Sequence, residues 1–235
     1  MRTGVPKAYV NIPGKKYYNY HGLIMPCNIQ PEPEPLVTYD TKPGGGDIIT
    51  ITLNAIMKGN FNKADFDYPT VHNAVTSGYY GPYLGQSVED FGGGLYYYNI
   101  YRIVIAWDTI VLPLDCTILD AKIMATLTDK WSGFIFSIVI RNGMPDYPHI
   151  PVENGDYNFA RYTGYGGSAE ITDPGDWELV FDDVGKLWIN KAGYTKLILM
   201  SDRDYVSQVP VLNDTVGFID DLSYWKLRIT YQEAA

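Results

Sequence analysis

Ala121-Lys122-Ile123-Met124-Ala125-Thr126-Leu127-Thr128 decides the fold class of this chain. Ala121, Ile123, Ala125 and Leu127 alternate with Lys122, Met124, Thr126 and Thr128. A period of two puts one set against a core and the other toward solvent, which is the pattern of a strand packed on one face.

The pattern recurs on both sides. Ile49, Ile51, Leu53 and Ala55 alternate near the start, and Trp225, Leu227, Ile229 and Tyr231 near the end. Between them lie an aromatic and β-branched run over 96–107 and a strand over 134–141 with Phe136, Ile138 and Ile140 on one face. A short strand over 177–181 and another over 196–201 with Leu197 and Leu199 on one face follow. Strands following strands argue for an antiparallel sandwich. Residues 57–95 and 142–176 read as glycine-rich loops. One short helix is expected over 183–192, capped by Asp182 or Asp183 and ended by Gly193, with Val184, Leu187, Trp188 and Lys191 facing the sandwich. No repeat of solenoid or propeller period is visible.

Residues 1–46 differ. Seven prolines, the run Gln30-Pro31-Glu32-Pro33-Glu34-Pro35 and the triplet Gly44-Gly45-Gly46 favour extended chain with a flexible joint. This divides the chain into an N-terminal arm, 1–46, and a sandwich, 47–235. Tyr9, Ile12, Tyr17, Tyr18 and Tyr20 are the arm's candidate contact residues.

Of the 235 residues, 46% are apolar, and the net charge is −9. The first figure argues against wholesale disorder. The second argues against nucleic acid or an anionic membrane as partner, since both are bound through Lys and Arg. The opening residues show no apolar signal-peptide core, and no apolar run reaches the ~18 residues of a membrane span. Cys27 and Cys116 form no metal or redox spacing, and two buried thiols are the simplest reading.

Several short motifs occur in order. They begin with Tyr101-Arg102-Ile103-Val104-Ile105-Ala106-Trp107-Asp108-Thr109, Leu112-Pro113 and Ile118-Leu119-Asp120-Ala121. Asn142-Gly143-Met144-Pro145, Tyr147-Pro148-His149 and Gly155-Asp156-Tyr157-Asn158 follow. Trp188-Ile189-Asn190-Lys191, Ser201-Asp202-Arg203-Asp204, Gly217-Phe218 and Ile229-Thr230-Tyr231 complete the series. Their succession over 63–232 resembles the DNRLRE-type, carbohydrate-binding-like modules of phage virion and microbial surface proteins. The resemblance implies an all-β, antiparallel, jelly-roll-like β-sandwich. It also implies a non-enzymatic virion structural protein of a phage: a capsid decoration, head-fibre or tail-associated component. Such a protein would sit on the virion surface after synthesis in the host cytoplasm. Its arm would hold it to other virion subunits, with a homo-oligomer expected. The alternative is a glycan-binding attachment module, and a glycoside-acting hydrolase ranks third.

The 21 tyrosines supply the candidate site. Tyr79, Tyr80, Tyr83, Tyr97 and Trp131 could stack on a host-surface glycan, although neighbouring tyrosines on a strand alternate between surface and core. Asp202, Asp204 and Asp220 are the candidate ligands for calcium, and no other cofactor is expected. No GxSxG turn marks a nucleophile. His149 reads as a loop hydrogen-bonding residue. Arg102, placed mid-strand among apolar neighbours, requires an acidic partner, with Asp108 the nearest in sequence.

Overall fold

The computed structural model describes residues 46–132 and 135–234 in full, and the backbone of 16–20, 23–27 and 38–40. The chain divides into two units, Met1–Glu34 and Pro35–Ala235. In the first, strands β1 (Lys16–Tyr20) and β2 (Leu23–Cys27) pair as an antiparallel hairpin. Tyr17, Tyr18 and Tyr20 fall on β1. Tyr9, Ile12 and the Pro-Glu run lie outside the described residues.

The second unit is an all-β, antiparallel sandwich. Its strands are β3 (Thr38–Asp40), β4 (Ile48–Asp65), β5 (Gly78–Tyr79), β6 (Tyr83–Asp90), β7 (Tyr96–Asp108) and β8 (Thr117–Ser132). They continue with β9 (Ser137–Asn142), β10 (Ser168–Glu170), β11 (Gly175–Val180), β12 (Tyr194–Ser201), β13 (Asp214–Phe218) and β14 (Lys226–Gln232). β3, counted with the arm from sequence, pairs with β4 and so belongs to the sandwich.

One layer runs β10-β9-β12-β7 and on to the second half of β4. The other runs from the first half of β4 through β14 and β8 to β11. Two long strands tie the layers together. β4 pairs with β14 up to Asn54, and a register shift between Ala55 and Met57 then turns it onto β7. A bulge of this kind bends a strand and exchanges its faces. β8 serves β14 and β11 with its first part and β13 with its last. β6 and β13 pair with each other and with β7 and β8, so β4, β7, β6, β13, β8 and β14 form a closed hydrogen-bonded circuit.

The alternating residues read from sequence line one core. Ile49, Ile51, Leu53, Ala55, Ala121, Ile123, Ala125, Leu127, Phe136, Ile138, Ile140, Leu197, Leu199, Trp225, Leu227, Ile229 and Tyr231 are all buried there. Trp107 and Trp225 are fully enclosed, and the Trp225 indole N–H donates to the Ile219 carbonyl at 2.9 Å. Each such side chain contributes about 2–3 kcal/mol of burial free energy.

A second core covers the outer face of the β7 layer. Ile100, Val104, Val139, Ile198 and Met200 pack there with Phe61, Tyr68, Val71, Tyr157 and Tyr162. Both faces of β7 and β12 are therefore buried. Their sequences accordingly read as unbroken apolar runs rather than as alternation.

Three expectations are corrected. First, residues 57–95 are not mainly loop. β4 runs on to Asp65 because β7 pairs with it along that length, although Gly59, Asn60 and Asn62 are poor strand formers. The helix α1 (Tyr68–His72), β5 and β6 follow. Second, the helix expected over 183–192 is the single turn α2 (Asp183–Lys186), one of three short α-helices among the described residues, with α1 and α3 (Asp202–Tyr205). Asp182 caps it as expected, accepting from the Gly185 N–H at 2.7 Å. Third, Trp188 packs against the core as expected and Gly185 and Ile189 are buried, whereas Val184 and Leu187 face solvent. Gly185 lies directly against the Gly166 carbonyl, where no Cβ fits, so close backbone approach sets this turn and an apolar stripe does not.

Candidate functional site

At one end of the closed circuit four aromatic rings meet. Tyr80 and Tyr83 come from the β5–β6 turn and the start of β6, Tyr101 from β7 and Trp131 from β8. Ring centroids lie 5.9 Å apart for Tyr80–Tyr83, 5.6 Å for Tyr80–Tyr101, 6.1 Å for Tyr83–Tyr101 and 5.3 Å for Tyr83–Trp131. These spacings are those of mutually packed rings. Tyr80 is 56% exposed and Trp131 46%, so the cluster presents an open aromatic face.

Local sequence explains the placement. The Tyr80 N–H donates to the Asn60 carbonyl at 3.1 Å, which fixes the turn on β4. A side chain at Gly81 would reach within 2.7 Å of the Tyr83 ring, so glycine there lets the ring fold back over the turn. Tyr83 stands opposite Gly217, and Tyr101 opposite Gly85 and Asn62. Small residues opposite the rings leave them room.

The structure separates the aromatic residues singled out from sequence. Tyr80, Tyr83 and Trp131 come together. Tyr79 does not join them; it packs on Phe61 at 5.1 Å, and its hydroxyl donates to the Val152 carbonyl at 3.4 Å. Tyr97 belongs to another exposed cluster with Phe66 and Phe91, at 4.8 and 6.2 Å. Tyr101 was missed as a site residue. On β7 it shares the parity of Ile103, Ile105 and Trp107, so the inward face itself continues into the platform.

The structure does not bring Asp202, Asp204 and Asp220 together. No group of three or more metal-ligating side chains exists among the described residues. Asp220 accepts from Lys58 at 2.7 Å and from the Asn60 amide at 2.8 Å. Asp202 accepts from the Arg203 N–H at 2.9 Å.

Asp204 is instead the partner of Arg102, and Asp108 is not. The Arg102 Nε–H donates to Asp204 Oδ2 at 2.7 Å and Nη2 to Oδ1 at 2.9 Å. Two further donors reach the carbonyls of His72 at 2.9 Å and Tyr157 at 3.0 Å. The guanidinium also stacks 4.4 Å from the Tyr157 ring centroid. Both side chains are fully buried, so this pair fastens α1, the 154–157 turn and α3 onto the outer face of β7. Burial alone would raise the Asp204 carboxyl, but Arg102 and then His72 overcome it and hold it below the ordinary carboxylate range. The folded value lies under the unfolded one. The pair's stability is therefore complete above the unfolded value and is lost as pH falls through the folded one. Thermal melts should be level from about pH 7 to pH 5 and drop steeply below about pH 4. An unchanged midpoint at about pH 2.5 would contradict this role.

His72 extends the centre. Its Nδ1 lies 2.9 Å from Asp204 Oδ1, and its Nε2 lies 3.0 Å from the Ser207 hydroxyl. An ionised carboxylate only accepts, so Nδ1 carries a proton, and in the neutral ring Nε2 accepts from Ser207. Ser207 has φ 58°, a backbone region few L-residues adopt. Asp, His and Ser thus stand in the order of a hydrolytic triad. However, the Ser207 and Gln208 N–H groups are both engaged, by the carbonyls of Asp204 and Arg203. Neither is free to stabilise an oxyanion. The Asp204 charge is already shared with Arg102. The geometry therefore fits a fastening better than a nucleophile.

His149 hydrogen-bonds within its loop as expected, with Nδ1 2.8 Å from Asp156 Oδ1 and its N–H 3.1 Å from Oδ2. Cys116 is a buried thiol, and the Cys27 side chain lies outside the described residues. Among the described residues no helix is long and apolar enough to cross a membrane. No family model matches the chain, and no curated protein matches it.

Proposed function

We propose that the chain is a non-catalytic surface component of a phage particle, and that its sandwich, of jelly-roll type, recognises a glycan through Tyr80, Tyr83, Tyr101 and Trp131. The observation that carries this is the convergence of these four rings from the β5–β6 turn, β6, β7 and β8, two of them about half exposed. A rigid aromatic face is suited to the apolar face of a sugar ring. The phage setting rests on the motif resemblance over 63–232. The separate unit Met1–Glu34 is the natural anchor to other virion subunits, copies of this chain included. The engaged N–H groups around Ser207 support the non-catalytic reading.

The test is a glycan array followed by titration of intrinsic fluorescence. Tyr80→Ala and Trp131→Ala should each weaken binding about tenfold, and together about a hundredfold. Tyr79→Ala, which removes a ring packed on Phe61 and not on the platform, should leave affinity unchanged. A chain that binds nothing on the array, or that binds undiminished without Tyr80 and Trp131, would defeat the proposal.

A further inference from the structure

Building on the glycan reading above, we infer that the platform selects an uncharged sugar ring, a neutral hexose or N-acetylhexosamine unit, and disfavours sialylated, uronate and sulfated glycans. The groups around the rings carry the inference. Glu89 on β6 lies opposite Tyr97, four residues along from Gly85, the partner of Tyr101, and so on the Tyr101 face of the ladder, where it acts on the Tyr101 phenol electrostatically. Asp129 stands beside Tyr83, since both lie 3.4–3.5 Å from where a side chain on Gly217 would begin. Asp220 is bonded to Asn60, which holds the Tyr80 turn. All three acids are exposed.

Two cations near the rings, Lys58 and Lys130, are already committed. The Lys58 side chain is 3% exposed and bound to Asp220. The Lys130 ammonium donates to the Ile171 carbonyl at 3.2 Å, on the other side of β8 from Trp131. The rim therefore meets an incoming anion with like charge from Asp129, Asp220 and Glu89. The Tyr101 phenol registers the same field. Burial pushes it upward, a hydrogen bond with Ser87 works the other way, and Tyr80, Glu89 and Tyr83 add to the upward shift.

A second observation concerns hydroxyls. Asn60 Oδ1 and Asn62 Nδ2 are buried without hydrogen-bond partners. Asn62 pairs with Tyr101 across the ladder, and Asn60 stands two residues before it, so both amides share the face of Tyr101. An unpaired acceptor and an unpaired donor together match a hydroxyl, which can serve both; a carboxylate or sulfate can only accept. The Tyr80 N–H on the Asn60 carbonyl places the exposed Tyr80 next to Asn60.

The experiment compares neutral and acidic glycans of equal length, at about 20 and 150 mM salt, on the full chain and on the Glu89→Gln/Asp129→Asn double variant. Neutral glycans should bind the full chain. Acidic ones should bind it at least about tenfold more weakly at low salt, and the gap should narrow at high salt and in the double variant. Acidic glycans binding as tightly as neutral ones, or a gap unchanged in the double variant, would overturn the selectivity and leave the glycan reading standing. Binding of neither class would overturn that reading and this inference with it.

Discussion

Replacing Arg102 by leucine should destabilise the sandwich by about 3–5 kcal/mol, because it strands the Asp204 carboxylate in the protein interior. Asp204 is fully buried, and Arg102 supplies two of its hydrogen bonds. His72 supplies another at 2.9 Å, which is too little to solvate an ionised group. The carbonyls of His72 and Tyr157 lose their Arg102 donors as well. For a domain of this size the loss corresponds to a melting temperature lower by roughly 6–20 °C. Asp204→Leu should cost a similar amount by stranding the guanidinium. The double variant Arg102→Leu/Asp204→Leu separates the pair's charge from its packing. It should melt above either single variant, since two apolar groups remove both desolvation penalties together. Calorimetry of the four proteins checks this. Additive losses in the double variant would show that the pair does not act as a unit.

Gly85→Ala is the second large effect, expected at about 3–5 kcal/mol. Gly85 has φ 125°, outside the range that L-residues adopt, and a Cβ there would overlap the Asp214 carbonyl oxygen. The residue lies in β6 opposite Thr215 of β13 and Tyr101 of β7, where the strand circuit closes. Relief would require β6 and β13 to separate, and Tyr83 and Tyr101 would move with them. The variant should therefore lose both thermal stability and the aromatic platform. Gly92→Ala is the control. Its φ is 85°, but no atom lies within 4 Å of the added carbon, so the cost should be near 1 kcal/mol. Equal melting temperatures for the two alanine variants would show that the close approach at Gly85 is not what constrains it.

The two tests concern different levels of organisation, and so does what can be read from sequence. Period-two alternation named the inward residues correctly over 49–55, 121–127 and 225–231, where a strand buries one face. Alternation has a local cause, because successive side chains point to opposite sides whatever the strand's partner. The cap at Asp182 was legible for the same reason: its acceptor and donor are three residues apart. The need for a partner to Arg102 was also legible, from the cost of burying an unpaired charge.

Long-range pairing decided the rest. β4 persists through Gly59, Asn60 and Asn62 because β7 lies beside it, and nothing local foretells that. The partner of Arg102 is Asp204, 102 residues away, and not the nearby Asp108. Tyr79 and Tyr80 are neighbours in sequence, yet one packs on Phe61 and the other joins the platform, because a turn sends adjacent side chains apart. Trp131 meets Tyr83 only through β13, which pairs with both of their strands. The sequence alone thus determined the all-β class and the inward faces, which depend on backbone period and hydrophobicity. The tertiary structure alone decided which tyrosines form the surface and which acid meets Arg102, because strand register brings together residues whose separation along the chain carries no record of their contact.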